Sequence, residues 1–133
     1  MLRFLTAASI ATILSGCAGS GEQSCPPELG AASTVFTLFF GQAIPARSEL
    51  TDKEWQAFLD DTITVNLPNG YTLFDANGAW MNPMTHKTIR EHTKVLIVAL
   101  PNGPDSLTAV NRIRTAYQLK FHQQMVGMTV QHA

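Results

Sequence analysis

An α+β fold, with two helices laid on one face of an antiparallel sheet, is what this sequence predicts, and three observations carry it. Residues 34–41 and 95–100 are dense in β-branched, aliphatic and aromatic side chains, as strands in the middle of a sheet are. Two other stretches carry apolar residues at helical spacing behind capping signals. The elements follow one another as strand, helix, strand, a short return strand, strand, helix, strand, which is the split β-α-β or ferredoxin-like pattern with one short strand added.

The first strand covers 34–41. Alternation puts Val35, Thr37 and Phe39 on one side and Phe36, Leu38 and Phe40 on the other, so both sides are greasy. Past a loop through Pro45, Thr51-Asp52-Lys53-Glu54 reads as a capping box: the Thr51 hydroxyl caps one backbone amide and Glu54 reaches back to another. The helix behind it is expected to run to about Asp61, with Trp55, Phe58 and Leu59 on its buried stripe. Residues 62–65 favour extension, and Pro68-Asn69-Gly70 breaks the chain.

A second strand is expected over 71–75. Asn77-Gly78 then reads as a two-residue hairpin turn, because both central positions of a type I′ turn need positive φ, with Ala79-Trp80-Met81 as a short return strand. Residues 82–88 read as an irregular polar excursion. Residues 89–100 form the next long strand, central by composition at its end. Pro101-Asn102-Gly103-Pro104 turns the chain, and Asp105 or Ser106 is the expected cap of a second helix with Leu107, Val110, Ile113, Tyr117 and Phe121 on its stripe. A last strand is expected over 125–131.

Ahead of this fold stands a leader. Met1-Leu2-Arg3 supplies one positive charge, and residues 4–14 are an uncharged apolar run, about half of the roughly 20 residues a membrane span needs. A basic start, a short apolar core and small residues at the exit describe a signal peptide. Leu14-Ser15-Gly16-Cys17 matches the bacterial lipoprotein signal, in which the cysteine thiol is acylated and becomes the new N-terminus. On that reading residues 1–16 are removed, residues 17–33 form the lipidated cysteine and a flexible tether, and residues 34–133 form a single α+β domain. The alternative is an ordinary signal peptide with Cys17 incidental. Ala18 rather than an aspartate follows Cys17, so in a two-membrane bacterium the expected address is the outer membrane, facing the periplasm.

Losing Arg3 with the leader leaves 8 basic against 10 acidic side chains. No basic patch or charged run is present, so nucleic acid is not an expected partner. Charged residues make up 14% of the chain, sparse enough that part of the surface is expected to be covered. Of the two cysteines, Cys17 is committed to lipid, which leaves Cys25 alone in an oxidising compartment. The apolar strands sharpen the question of cover, since helices hide one face of the sheet only. A second copy of the chain, another envelope protein, a ligand in a greasy cleft, or the hairpin and residues 82–88 folding back would each supply it.

Motifs for chemistry are few. His86, His92, His122 and His132 lack the spacing of a converging ligand set, so no metal or other cofactor is expected. Ser33, Ser48 and Ser106 have no nucleophile elbow around them, and no catalytic residue is assigned. Glu91 stands apart. Its period-two position puts it on the side of Val95 and Ile97, and a carboxylate at the mouth of an apolar face can act as a general acid or base. The plainer alternative is an ion pair with Lys94 or Arg90, or plain contact with solvent at the start of the strand. Trp80 and Tyr71 are the candidate walls of a cleft beside Glu91, although a tryptophan there also suits a core.

With these residues assembled, 34–133 resembles a family of small, uncharacterised bacterial lipoproteins. The likeness is carried by Phe40-Gly41, by the helix with Trp55-Gln56-Ala57-Phe58-Leu59-Asp60, and by Gly70-Tyr71-Thr72. It continues through Asp75-Ala76-Asn77-Gly78-Ala79-Trp80, Glu91-His92-Thr93-Lys94-Val95, and Tyr117 to Phe121. The resemblance implies location and a coherent fold but no activity. Members tend to carry an arginine before a Phe-Pro-Asp-Gly turn where this chain has Asn66-Leu67-Pro68-Asn69-Gly70, so no anion site is expected there. Members also tend to carry a cysteine just past the final strand. In a chain continuing past Ala133, that cysteine is the partner the resemblance implies for Cys25, closing a loop of about 100 residues worth a few kcal/mol.

The function expected is that of a non-enzymatic envelope lipoprotein, held to the membrane by its lipid. It would bind itself or another envelope protein through the open sheet face. The alternative is a small-molecule binder or enzyme using that face as a cleft, with Glu91 as its acid or base.

Overall fold

The computed structural model describes residues 26–132; Cys17, Cys25 and the leader read from residues 1–16 lie outside the described residues. A short 3₁₀ turn (Pro27–Leu29) precedes β1 (Ser33–Gly41), followed by helix α1 (Asp52–Phe58). A wide turn (Leu59–Ile63) and α2 (Thr64–Asn66) continue α1, then come β2 (Thr72–Met81), β3 (Thr88–Pro101), helix α3 (Pro104–Phe121) and β4 (Gly127–His132). The strands form one antiparallel sheet in the order β2-β3-β1-β4, the ferredoxin-like arrangement the sequence predicts.

Alternation along the two central strands decides where the core sits. Phe36, Leu38 and Phe40 of β1 and Leu96 and Val98 of β3 point to the helices and are buried. From the helices, Trp55, Phe58, Leu59, Ile63, Val110, Ile113, Tyr117 and Phe121 meet them. Tyr117 is the centre of this packing, with ring centroids 4.9 Å from Phe40, 5.2 Å from Phe58 and 4.9 Å from Phe121. Tilted and edge-on pairs of this kind contribute about 0.5–1.5 kcal/mol each beyond their buried area.

The capping box forms as expected. Thr51 Oγ1 accepts from the Glu54 amide at 3.2 Å, and Glu54 Oε2 accepts from the Thr51 amide at 2.9 Å. Arg47 adds a forked pair, its Nη1 and Nη2 donating to the two Glu54 oxygens at 2.8 and 2.7 Å. That pair and the two Thr51 donors hold the Glu54 carboxyl down at about 2.

Three expectations are corrected. Residues 62–65 are helical, not extended: the Thr64 amide bonds back to Leu59, and the wide turn carries Leu59, Ile63 and Leu67 into the core four residues apart. Burial of that row outweighs the weak extended preference of Thr62, Ile63 and Val65. The second helix is capped by neither Asp105 nor Ser106. Gly103, at φ 144°, holds the cap position and Pro104 fills the first helical one, where its missing N–H costs nothing. Ser106 Oγ instead donates to the Pro101 carbonyl at 2.6 Å.

The third correction bears on the site. Asn77-Gly78 is not a turn: β2 runs straight through it, Asn77 opposite His92 and Gly78 opposite Glu91, and Ala79-Trp80-Met81 continues the same strand. The reversal comes at 82–87, where the Asn82 amide donates to the Lys87 carbonyl at 2.9 Å and Asn82 Oδ1 accepts from the Met84 and Thr85 amides. Gly78 is needed for room and not for positive φ, since a Cβ built on it would lie 2.8 Å from Thr93 Oγ1. A glycine inside a strand often marks such a close approach.

Gly78→Ala is therefore expected to destabilise the fold by about 1–3 kcal/mol through overpacking, and Thr93→Ala in the same chain to restore most of the loss. Chemical denaturation of the two single variants and the double variant measures that coupling; additive losses would rule the contact out. A pH dependence follows from Glu54. Its folded pKa of about 2 lies below the ordinary glutamate value of roughly 4.3. The stability it contributes is complete above about pH 5 and is lost as pH falls toward 2. Glu54→Gln should flatten that part of a stability-against-pH curve relative to the parent chain.

Candidate functional site

The helices cover one face of the sheet and leave the other open. Register places Phe39 of β1, Phe74 and Trp80 of β2, and Glu91, Val95 and Ile97 of β3 on that open face. Phe39, Phe74 and Trp80 are 39%, 49% and 48% exposed, large for apolar rings on a sheet.

At one end of this face the sheet steps down. β1 stops pairing with β3 at Gly41 opposite Thr93, while β3 and β2 run on together to Thr88 and Met81. The loop after β1 (Ala43, Ile44, Pro45) and the one before β4 (residues 122–125) rise beside the step, and between them and Trp80 lies a cleft of about 600 Å³. Phe39, Ile89 and Met125 give it apolar walls. Glu91 is its carboxylate.

Glu91 is held by one hydrogen bond and seated against a glycine. Its Oε2 accepts from the Ala43 amide at 3.2 Å. A Cβ on Gly41 would lie 2.7 Å from that same oxygen, so only a glycine at the end of β1 leaves the carboxylate where it is. Behind Gly41, the Tyr117 hydroxyl donates to the Gly41 carbonyl at 2.6 Å and accepts from Gln42 Nε2 at 3.1 Å. Burial, and after it the nearby Glu91 carboxylate, push the Tyr117 phenol well above its ordinary range, so it remains a neutral donor. The lip of the cleft is thereby bolted to the aromatic core.

The ion pairs expected for Glu91 do not form. Lys94 pairs with Asp75 directly across the β2–β3 ladder, and Arg90 forms no salt bridge with Glu91. Among the described residues the salt bridges are Lys94–Asp75, Arg47–Glu54 and His92–Glu49, so Glu91 has no cationic partner. His92 Nδ1 lies 2.8 Å from Glu49 Oε2, and its hydrogen bond holds the Glu49 carboxyl below the usual range. That pair borders a smaller, polar hollow of about 330 Å³ on the helix side, which its own ion pairs fill with charge.

Of the predicted cleft residues, Glu91 and Trp80 come together and Tyr71 does not. Tyr71 sits at the far end of β2, its hydroxyl 2.8 Å from Thr64 Oγ1, packed against the helix-side core. An odd and an even position on one continuous strand face opposite ways, which the expected turn at Asn77-Gly78 concealed. Sequence reasoning also missed the loop residues, His122 among them. One signal was there: Gly41, Gly78 and Gly127 all fall in strands on the open face around Glu91. Among the described residues no group of three or more His, Cys, Asp and Glu side chains could hold a metal ion, and no helix is long and apolar enough to cross a membrane.

No curated protein matches this chain in sequence. Solved structures that share its fold include two of a phage SAM lyase. A phage SAM lyase in its apo state aligns with TM-score 0.59 at 17% identity, over 82% of this chain and 87% of that one. A phage SAM lyase in complex with S-methyl-5′-thioadenosine aligns with TM-score 0.59 at 15% identity, over 75% of this chain and 81% of that one. At such identities the likeness is one of fold. By sequence, residues 36–133 match the family described as "Protein of unknown function (DUF3574)", and the chain belongs to that family.

Proposed function

We propose that this protein is a lipid-anchored, ligand-binding domain of the bacterial envelope, and that the cleft over Glu91 takes a small molecule. One observation carries the reading: a carboxylate without a cationic partner stands in a largely apolar cleft of about 600 Å³, within the size range of small-molecule sites. The surroundings keep that carboxylate accessible, since Gly41 withholds a side chain from it. A protein of the same fold, the phage SAM lyase, is described in complex with S-methyl-5′-thioadenosine, which supports a small-molecule use of this fold.

The anchor rests on Leu14-Ser15-Gly16-Cys17. The chain comes into the sheet at Ser33, opposite Pro101, and β1 ends at Gly41 beside the cleft. Nine strand residues at about 3.3 Å each separate the two ends. An acylated Cys17 thus leads into the end of the sheet remote from the cleft.

A second reading is self-association through the open face. Half-exposed Phe39, Phe74 and Trp80 beside Val95 and Ile97 favour it.

Palmitate fed to cells expressing the chain should label it, and Cys17→Ser should abolish the label; an unlabelled parent chain would remove the anchor. For the cleft, the full chain carrying Cys17→Ser is titrated with S-methyl-5′-thioadenosine and a set of small aromatic fragments. Tryptophan fluorescence and light scattering are followed together. A monomer whose emission shifts with ligand supports the cleft, because Trp55 is buried and Trp80 is the exposed reporter. A ligand-indifferent dimer that Val95→Lys dissociates would replace it with the second reading.

A further inference from the structure

Resting on the reading of the cleft as a ligand site, we propose that it selects organic cations: a primary ammonium or guanidinium on an apolar body. The charge pattern points that way first. Of the residues lining the cleft, Glu91 and His122 alone are titratable, and no lysine or arginine is among them. The Glu91 carboxylate therefore lacks the compensation that Asp75 obtains from Lys94, Glu49 from His92 and Glu54 from Arg47. The cleft holds a carboxylate and no counter-charge for it; a cationic ligand can bring one.

The hydrogen bonding agrees. The Ala43 amide is the one donor to Glu91 among the described residues, and it goes to Oε2. Most of the acceptor capacity of an ionised carboxylate, about four lone-pair sites, is left for N–H donors of a ligand. Aromatic rings complete the preference. Trp80 and Phe39 both line the cleft, and the face of an indole or phenyl ring attracts a cation through its quadrupole, tryptophan most strongly. Ile89 and Met125 offer apolar surface for the body of the ligand. A neutral ligand would leave the carboxylate unanswered, and an anion would oppose it.

Three probes that share a phenylethyl body test this: 2-phenylethylammonium, neutral 2-phenylethanol and anionic 3-phenylpropionate. Each is titrated by calorimetry and tryptophan fluorescence into the full chain carrying Cys17→Ser, at about pH 8. The ammonium is expected to bind tightest. Glu91→Gln should weaken it about tenfold or more, as loss of a charged hydrogen bond does, and leave phenylethanol unchanged. That variant keeps an oxygen for the Ala43 amide. Trp80→Leu, at a half-exposed position, is the second variant and should weaken the ammonium more than the alcohol. Equal binding of all three probes, or no effect of either variant on the ammonium's preference, overturns the cation assignment and leaves the ligand site standing. Silence of the parent chain toward every probe, and toward the wider fragment set, overturns both.

Discussion

The Tyr117 hydroxyl donates to the carbonyl of Gly41 from the middle of a buried aromatic cluster, and much of the molecule is arranged around that one bond. Its ring packs on Phe40 of β1, Phe58 of α1 and Phe121 of its own helix. The bond draws the end of β1 against α3. Immediately beyond, Gln42 is buried and bonded to the same phenol, and the next amide, that of Ala43, grips Glu91. Core packing and the placement of the candidate binding group are therefore one continuous structure. A carbonyl left in that position without a donor would cost about 1–3 kcal/mol, and the lip of the cleft would lose its reference point.

Two asymmetries follow from the way the sheet is built. Helices cover one face, so the period-two alternation sorts β1 and β3 into a buried row and an open row. The open row here is unusually apolar for a surface, and its one acid stands without an ion pair. The strands also end at different places, which produces the step where β1 leaves and β2 and β3 continue as a pair. Apolar surface and a ledge to hold it meet at that step.

Much of the fold was legible because its signals are local and strong. The capping box at Thr51, the apolar strands and the stripe on α3 each specify their element over a few residues. The turn at Asn77-Gly78 failed because the same dipeptide suits a turn by positive φ or a strand by small size. Only the partner strand, carrying Thr93 and Glu91 opposite, decides between them. The helical run through Ile63 failed for a related reason: weak backbone preference yielded to a row of side chains that a distant core had room for. Glu91 was found by strand period; Trp80 was set beside it on a return strand that proves to be the continuation of β2. Ala43 and His122 were not found, since loops have no period and nothing local places them beside β3.

The step in the sheet also bears on how the family can vary. The cleft is walled by two loops that lie outside the hydrogen-bonded register, one after β1 and one before β4. Lengthening either, away from core-buried Ile44 and from Ala43 on Glu91, would not slip a strand, and loops accept insertions at small entropic expense. The floor, by contrast, is locked into the ladder beside three strand glycines. Divergence among relatives should then accumulate in what the cleft admits while the acid beneath it keeps its seat, so that one scaffold hosts many selectivities.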